Sequence, residues 1–172
     1  HEGAPGHHFQ ISIAQENEKL PAFMRFGGNT AYVEGWALYS ETLGYEMGLF
    51  KDPYQRFGTL SDEMLRAMRL VVDTGIHSKG WTREQAIEYM LANSDMGKTV
   101  ATAEVERYIA IPSQALAYKI GALTIMRLKD KAKKELGRKF DVREFHNQVL
   151  NTGALPLTVL EKKIDDWIAA SK

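Results

Sequence analysis

Residues 29–48 read NTAYVEGWALYSETLGYEMG, and their apolar positions repeat at the spacing of an α-helix. Asn29 or Thr30 is a suitable N-cap for this helix, and Gly48 follows its end. The apolar positions at helical spacing are Tyr32, Val33, Trp36, Ala37, Leu38 and Leu43. The stretch therefore predicts a helix, and it is the first indication of an all-α fold.

Helix start and stop signals continue along the chain. Asp52-Pro53 predicts a helix that runs to about Thr74 and ends at Gly75. Its residues expected to face inward are Leu60, Met64, Met68, Val71 and Val72. Thr82 and Gln85 have capping-box spacing and predict the next helix. Further helices are expected at about 99–109, from Pro112 to Gly137, from Asp141 to Gly153, and from Pro156 onward.

Strand signals are nearly absent from the sequence. Glu18 to Gly28 is the one stretch expected to be a long loop, because Pro21, Gly27 and Gly28 interrupt the periodicity. The chain of 172 residues is long enough to bury roughly 70% of its unfolded surface in one core. We therefore predict an all-α, single multi-helix domain over residues 1–172.

Composition excludes several classes of function. The 22 Lys and Arg residues balance the 22 Asp and Glu residues, so there is no net basic field for nucleic acid or an anionic membrane. The absence of cysteine excludes disulfide scaffolds, thiolate zinc fingers and cysteine nucleophiles. No apolar run approaches the roughly 20 residues of a membrane span. Because the chain begins with His1 rather than Met, we expect a fragment whose N-terminal part is missing.

The first eight residues, HEGAPGHH, carry the densest chemical signal. Histidine is a common zinc ligand, and Glu2 beside a ligand could deprotonate metal-bound water. Pro5 occupies the position four residues after His1, where a regular motif has its second histidine. A helix widened by two residues at Pro5-Gly6 would bring His1 and His7 together. The alternative interpretation is a tag remnant or a disordered tail.

A third ligand is available on the helix of residues 29–48. Glu34 and Glu41 are seven residues apart, so they lie on one face of an otherwise apolar helix. A buried carboxylate is costly unless it is paired or binds a metal. Either residue could instead belong to a solvated face, but the histidine cluster upstream favours Glu34 as a ligand.

The sequence resembles the bacterial domain-of-unknown-function 885 (DUF885) family along essentially its whole length. The strings that carry the resemblance are HEGAPGHH at 1–8, VEGWALYSE at 33–41, VDTGIH at 72–77, GWT at 80–82, ERYIAIPSQALAYKIG at 106–121 and EFH at 144–146. The family is similar to a distant branch of the gluzincin metallopeptidases, which include thimet-oligopeptidase-like and angiotensin-converting-enzyme-like peptidases. The resemblance implies the C-terminal part of a larger helical, zincin-like metallopeptidase fold.

The resemblance also implies a zinc site. His1, His7 and Glu34 match the ligands, and Glu2 matches the general base. Because of the two-residue insertion, His8 is kept as an alternative to His7.

Further roles follow from the same resemblance. Glu41 matches a residue that supports the ligands. Arg107-Tyr108 resembles the Arg-Tyr pair of the converting-enzyme type, whose tyrosine hydroxyl stabilises the oxyanion.

Several other residues are candidates for positioning substrate. His77 could hold a substrate carbonyl or serve as a cap or core residue, and Tyr118 has packing as its simplest interpretation. Arg66, Arg69 and Asp73 share one helix stripe, which indicates either internal ion pairing or binding of a peptide carboxylate. We interpret His146, in a short amphipathic helix, as structural.

The sequence thus predicts a bacterial zinc-dependent peptidase that holds one Zn²⁺ and cleaves a peptide or a small amide. The alternatives are a metal-free helical binding module and a hydrolase of a non-peptide amide. We expect low or no turnover from this segment alone, because the missing N-terminal half of the parent would supply the other wall of the cleft. Localisation is left open between export, including as a lipoprotein, and the cytoplasm.

Overall fold

The computed structural model describes all 172 residues, His1–Lys172, and contains helices but no strands. The predicted all-α, multi-helix fold is confirmed. The helices are α1 (His7–Glu16), α2 (Ala22–Phe26), α3 (Thr30–Glu46), α4 (Pro53–Lys79), α5 (Arg83–Asn93), α6 (Lys98–Ala110), α7 (Gln114–Leu136), α8 (Val142–Leu150) and α9 (Leu157–Ser171), with a 3₁₀ turn at Gly137–Lys139.

The predicted N-caps begin their helices as expected. The side chain of Asn29 accepts a hydrogen bond from the backbone of Tyr32, and Asp141 caps α8. Asp52 and Thr82 each form a complete capping box with the glutamine three residues later. Each of these side chains satisfies a backbone N–H that the first turn of a helix leaves unpaired.

Two predicted boundaries are wrong. Helix α4 continues past Gly75 and ends at Lys79, and it is capped by Gly80, which has the left-handed φ of 70° that suits glycine. Gly75 lies inside the helix, where the ring of Trp81 occupies the space of a Cβ, which would lie 2.5 Å from it. The predicted loop at 18–28 contains the short helix α2.

The chain forms two compact units. The first unit comprises His1–Leu43 and Ile120–Lys172, and the second unit comprises Gly44–Lys119. The expectation of a single domain over 1–172 stays a prediction.

In the first unit, α3 and α7 approach each other at two glycines. A Cβ on Gly35 would lie 2.4 Å from the Cα of Gly121, and a Cβ on Gly121 would lie 1.9 Å from the carbonyl oxygen of Ala31. The backbones therefore meet directly at this crossing. The large buried apolar side chains of this unit include Tyr32, Trp36, Leu38, Tyr39, Ile125, Leu128, Phe145, Leu160, Ile164 and Ile168.

In the second unit, α4, α5 and α6 enclose a separate core. Its buried members are Met68, Val72, Ala86, Ile87, Met90, Ala101, Val105, Tyr108 and Ala115. The prediction that Leu60, Met64 and Val71 face inward is wrong, since they are 64%, 49% and 38% exposed. The core uses the C-terminal half of α4, from Leu65 to Ile76, and Val71 lies to one side of that face.

No single helix has the length and apolar composition to cross a membrane. Helices α6 and α7 have them only when they are taken together, as a bent pair.

Candidate metal centre

The first six residues form a wide turn before α1. The backbone N–H of His7 donates to the carbonyl of His1 at 2.8 Å, and that of His8 donates to the carbonyl of Glu2 at 3.0 Å. These bonds join residues six apart rather than the four of an α-helix, so the two extra residues are accommodated. The expected convergence of His1 and His7 is confirmed, but it arises in a turn that precedes the helix rather than inside a helix.

Gly6 and Trp36 hold this turn in place. A Cβ on Gly6 would lie 1.7 Å from the carbonyl oxygen of His1, so only glycine fits there. The indole N–H of Trp36, a buried residue of α3, donates to the carbonyl of Pro5 at 2.8 Å. The sequence identified Trp36 only as a core residue, because nothing local indicates this long-range hydrogen bond.

The turn and α3 together bring three potential ligands to one point. The Nε2 atoms of His1 and His7 lie 3.6 Å and 3.3 Å from the same carboxylate oxygen of Glu34. One potential ligand atom from each residue lies within 4.8 Å of the other two. The three side chains are only 16–17% exposed. The two imidazole rings are nearly perpendicular, at 83°.

Glu41 contacts one of these potential ligands. Its carboxylate lies 2.5 Å from Nδ1 of His1, on the side of the ring away from Glu34. A proton held at Nδ1 by Glu41 leaves Nε2 with a lone pair, the form in which histidine binds a metal.

The donor set fits a zinc ion. Two imidazole nitrogens with one carboxylate are typical ligands of catalytic zinc, and such sites keep a fourth position open. Donors bound at about 2.0–2.1 Å to a tetrahedral ion lie about 3.3–3.4 Å apart, close to the separations between Glu34 and the two histidines.

His8 and Glu2 lie outside this cluster. The side chain of His8 is exposed, and the donor set contains His7 instead. Glu2 is also exposed and directly follows His1 in the chain. The roles of Glu2 as a base and of His1, His7 and Glu34 as metal ligands stay predictions.

Tyr108 and Arg69 belong to a buried polar cluster in the second unit. The Nε of Arg69 donates to the hydroxyl of Tyr108 at 2.9 Å, and its Nη2 donates to Glu104 at 2.6 Å. The Tyr108 hydroxyl itself donates to Glu104 at 2.6 Å. Its one proton is therefore engaged, and the predicted oxyanion role of Tyr108 would require this bond to open.

The buried cluster shifts the pKa values of its members. Burial, and then the hydrogen bond to Glu104, raise the pKa of Tyr108 well above its ordinary value. Burial also acts to raise the pKa of Glu104, but the hydrogen bonds from Tyr108 and Arg69 outweigh burial. The pKa of Glu104 therefore lies below its ordinary value, and Glu104 stays ionised at neutral pH.

Arg107 and Tyr118 lie beside this cluster. Arg107 donates to Gln114 at 3.0 Å and forms an ion pair with Glu104 at 3.7 Å. The hydroxyl of Tyr118, which is 7% exposed, accepts a hydrogen bond from Gln114 at 3.2 Å.

His77 and Asp73 contact backbone groups near the end of α6. Nε2 of His77 donates to the carbonyl of Tyr108 at 2.9 Å, and buried Asp73 accepts from the backbone of Ser113 at 3.0 Å. Arg69 pairs with Glu104 of α6 rather than with Asp73 of its own helix. The substrate-positioning roles of these residues stay predictions.

Fold and site together define an all-helical protein with a candidate metal centre of two histidines and one glutamate. The chain belongs to the family described as bacterial protein of unknown function (DUF885), whose sequence pattern matches residues 1–164. No curated protein matches the chain.

Several solved structures are similar to this chain, and two of them are from bacteria of known species. One, of a "putative lipoprotein" from Colwellia psychrerythraea, shares 48% identity over 98% of the chain with a TM-score of 0.94. The other, a "putative lipoprotein of unknown function" from Shewanella oneidensis, shares 28% identity over 93% of the chain with a TM-score of 0.84. The chain spans 29% of the length of each of these proteins.

Proposed function

We propose that this chain carries the zinc site of a gluzincin-like hydrolase that acts on peptide bonds. The observation that carries the proposal is the convergence of His1, His7 and Glu34, with Glu41 behind His1. If Glu41 holds a proton on Nδ1 of His1, the Nε2 lone pair points toward the oxygen of Glu34. Two such electron-rich groups repel each other unless a proton or a cation lies between them.

In this proposal His1, His7 and Glu34 hold the ion. A bound zinc ion supplies a Lewis acid and lowers the pKa of the water that it binds. The carboxylate of Glu2 accepts the proton of the attacking water and returns it to the leaving amine. Glu41 keeps the imidazole of His1 in the tautomer and orientation that the ion requires.

Zinc binding is the first test. The purified chain is stripped with a chelator, reloaded, and assayed by elemental analysis and by competition with a chromophoric chelator. We expect about one zinc per chain, lost when Glu34 is replaced in Glu34→Ala. Glu16→Ala removes an exposed carboxylate from α1 and should bind zinc like the wild type. A folded chain without zinc affinity would favour the metal-free binding module.

Cleavage of a peptide library is the second test, in a protein of the relatives' full length. Glu2→Gln should retain zinc and lose roughly 100- to 10,000-fold in activity, as expected for loss of a general base. Equal activity in Glu2→Gln would contradict the role of Glu2. Cleavage of small amides but not of peptides would favour the non-peptide alternative.

The names of the two similar structures favour export as a lipoprotein, and we propose that localisation for the full protein. Fractionation of cells that produce the full-length protein would test this assignment.

A further inference from the structure

Two guanidinium groups in the second unit contact the ring of Tyr118. The Cζ of Arg66 lies 4.4 Å from the ring centroid, and that of Arg69 lies 4.8 Å from it. Arg66 and Arg69 are three residues apart on α4, so they lie on neighbouring turns of one face. The aromatic ring stabilises positive charge but accepts no conventional hydrogen bond from the guanidinium edges.

Each arginine has a buried donor that no hydrogen bond satisfies. These donors are the Nε of Arg66 and the Nη1 of Arg69. Arg69 is 2% exposed, and Tyr108 and Glu104 occupy only its Nε and Nη2. Buried polar groups are nearly always satisfied in native proteins, and a charged donor is the costliest to leave unmade. The two donors therefore point to an acceptor that the protein itself does not provide.

The charges around Tyr118 indicate what kind of acceptor fits. Arg66, Arg69 and Arg107 contribute three positive charges, and Glu104, which pairs with Arg69 and Arg107, contributes one negative charge, so positive charge remains in excess. Lys119 and Glu63, which form an ion pair, cancel each other. This excess of positive charge favours an anionic acceptor.

We propose that Arg66 and Arg69 form a binding site for a carboxylate group. Guanidinium edges match the two oxygens of a carboxylate, and Arg69 already binds one such group in Glu104. The carboxylate could belong to the C-terminus of a peptide or to a free small acid. This site lies in the second unit and includes none of the proposed zinc ligands.

The test is isothermal titration of the full chain at constant ionic strength, after metal has been removed with the uncharged chelator 1,10-phenanthroline and dialysis, so that a failed zinc site does not affect the outcome. The probes are N-acetyl-Ala-Ala with a free carboxylate, its C-terminal amide, acetate and inorganic phosphate. The variants are Arg66→Gln and the matched control Arg56→Gln, an exposed arginine of the same helix. Thermal melting confirms that each variant is folded.

We expect the peptide acid to bind at least about tenfold more tightly than its amide. Arg66→Gln should weaken binding of the acid about tenfold or more, and Arg56→Gln should leave it unchanged. Binding of acetate that depends on Arg66 would assign the site to free acids, and binding of the peptide acid alone would assign it to peptide termini.

Three results would overturn the proposal. They are equal binding of acid and amide, equal affinity in Arg66→Gln and Arg56→Gln, or tighter binding of phosphate than of both carboxylates. If Arg66→Gln fails to fold, the comparison of acid with amide in the wild type still decides the question. A fourth result, no binding of any probe, would also overturn the proposal, since water would then satisfy the two donors.

Discussion

The metal-site cluster of the first unit and the buried cluster of the second unit arrange polar groups in different ways. Arg69, Glu104 and Tyr108 pair opposite charges, and every bond among them has a clear donor and acceptor. In the first unit, two imidazole nitrogens converge on one carboxylate oxygen. The cluster of Arg69, Glu104 and Tyr108 is satisfied by its own members, whereas we propose that a cation completes the cluster of His1, His7 and Glu34.

The two clusters also differ in the contacts that hold them together. The buried cluster joins α4 to α6 through side chains, as is usual for ion pairs inside helical proteins. The metal-site cluster depends on a backbone turn that only glycine permits and that the indole of Trp36 holds. Changes to the buried cluster should therefore alter stability, and changes to the metal-site cluster should alter metal affinity.

The largest expected effect is on zinc affinity in Gly6→Ala. The added Cβ would meet the carbonyl of His1, so the turn must open and His1 must leave the site. We expect zinc affinity to fall about 1000-fold, or about 4 kcal/mol, in a competition titration. Gly3→Ala is the control, because a Cβ there meets nothing within 4 Å. Equal affinity in the two variants would mean that the turn does not set the ligand geometry.

A large effect on stability is expected in Glu104→Ala. This change leaves the buried guanidinium of Arg69 without its carboxylate, which should cost about 3 kcal/mol in the free energy of unfolding measured with urea. Glu106, also on α6, forms an exposed ion pair with Arg83 of α5, so Glu106→Ala should change the free energy of unfolding little. A loss below about 1 kcal/mol in Glu104→Ala would show that the buried cluster is not structural.

A smaller effect on metal affinity is expected in Glu41→Gln. The amide can still accept a hydrogen bond but no longer provides the charge that supports His1. Zinc affinity should fall about 10- to 100-fold, as for other residues that orient a ligand. Stability in the presence of a chelator should change little. The opposite pattern, lost stability with unchanged affinity, would assign Glu41 to the fold.

The smallest effect is the acid dependence of the buried cluster. Because the pKa of Glu104 is lowered in the folded protein, its contribution to stability is present above its ordinary pKa of about 4.3. The contribution is lost as pH falls through the lower folded pKa. The difference in unfolding free energy between the wild type and Glu104→Gln should therefore shrink below about pH 4. A difference that is constant from pH 6 to about pH 3 would contradict this linkage.

The sequence predicted the elements whose signals are local. Asp52, Thr82 and Asp141 begin helices because a side chain caps the next turn, whatever packs around it. The prediction of a helix end at Gly75 is wrong because the reason for a glycine at this position is a tertiary contact with Trp81, which the local sequence does not show. The exposure of Leu60 and Met64 likewise depends on where α5 and α6 pack, which periodicity does not show.

The candidate site was predictable only where residue type and spacing give a signal. His1, His7 and Glu34 were identified from spacing and residue type, and the structure brings them together. The partnership of Arg69 with Glu104 and the hydrogen bond from Trp36 to Pro5 were not predictable, since no motif or spacing in the sequence links these residues.

The meeting of Gly35 and Gly121 affects how the centre could adapt to ions of different radius. Glu34 directly precedes Gly35, so sliding or rotating α3 would drive its backbone into that of α7. In the proposed metal site, the backbone that carries Glu34 is therefore the part least able to move. A larger divalent ion would have to be accommodated by displacement of the N-terminal turn. The selectivity of the proposed site among cations should therefore depend on the rigidity of residues 1–6 rather than on that of the helices.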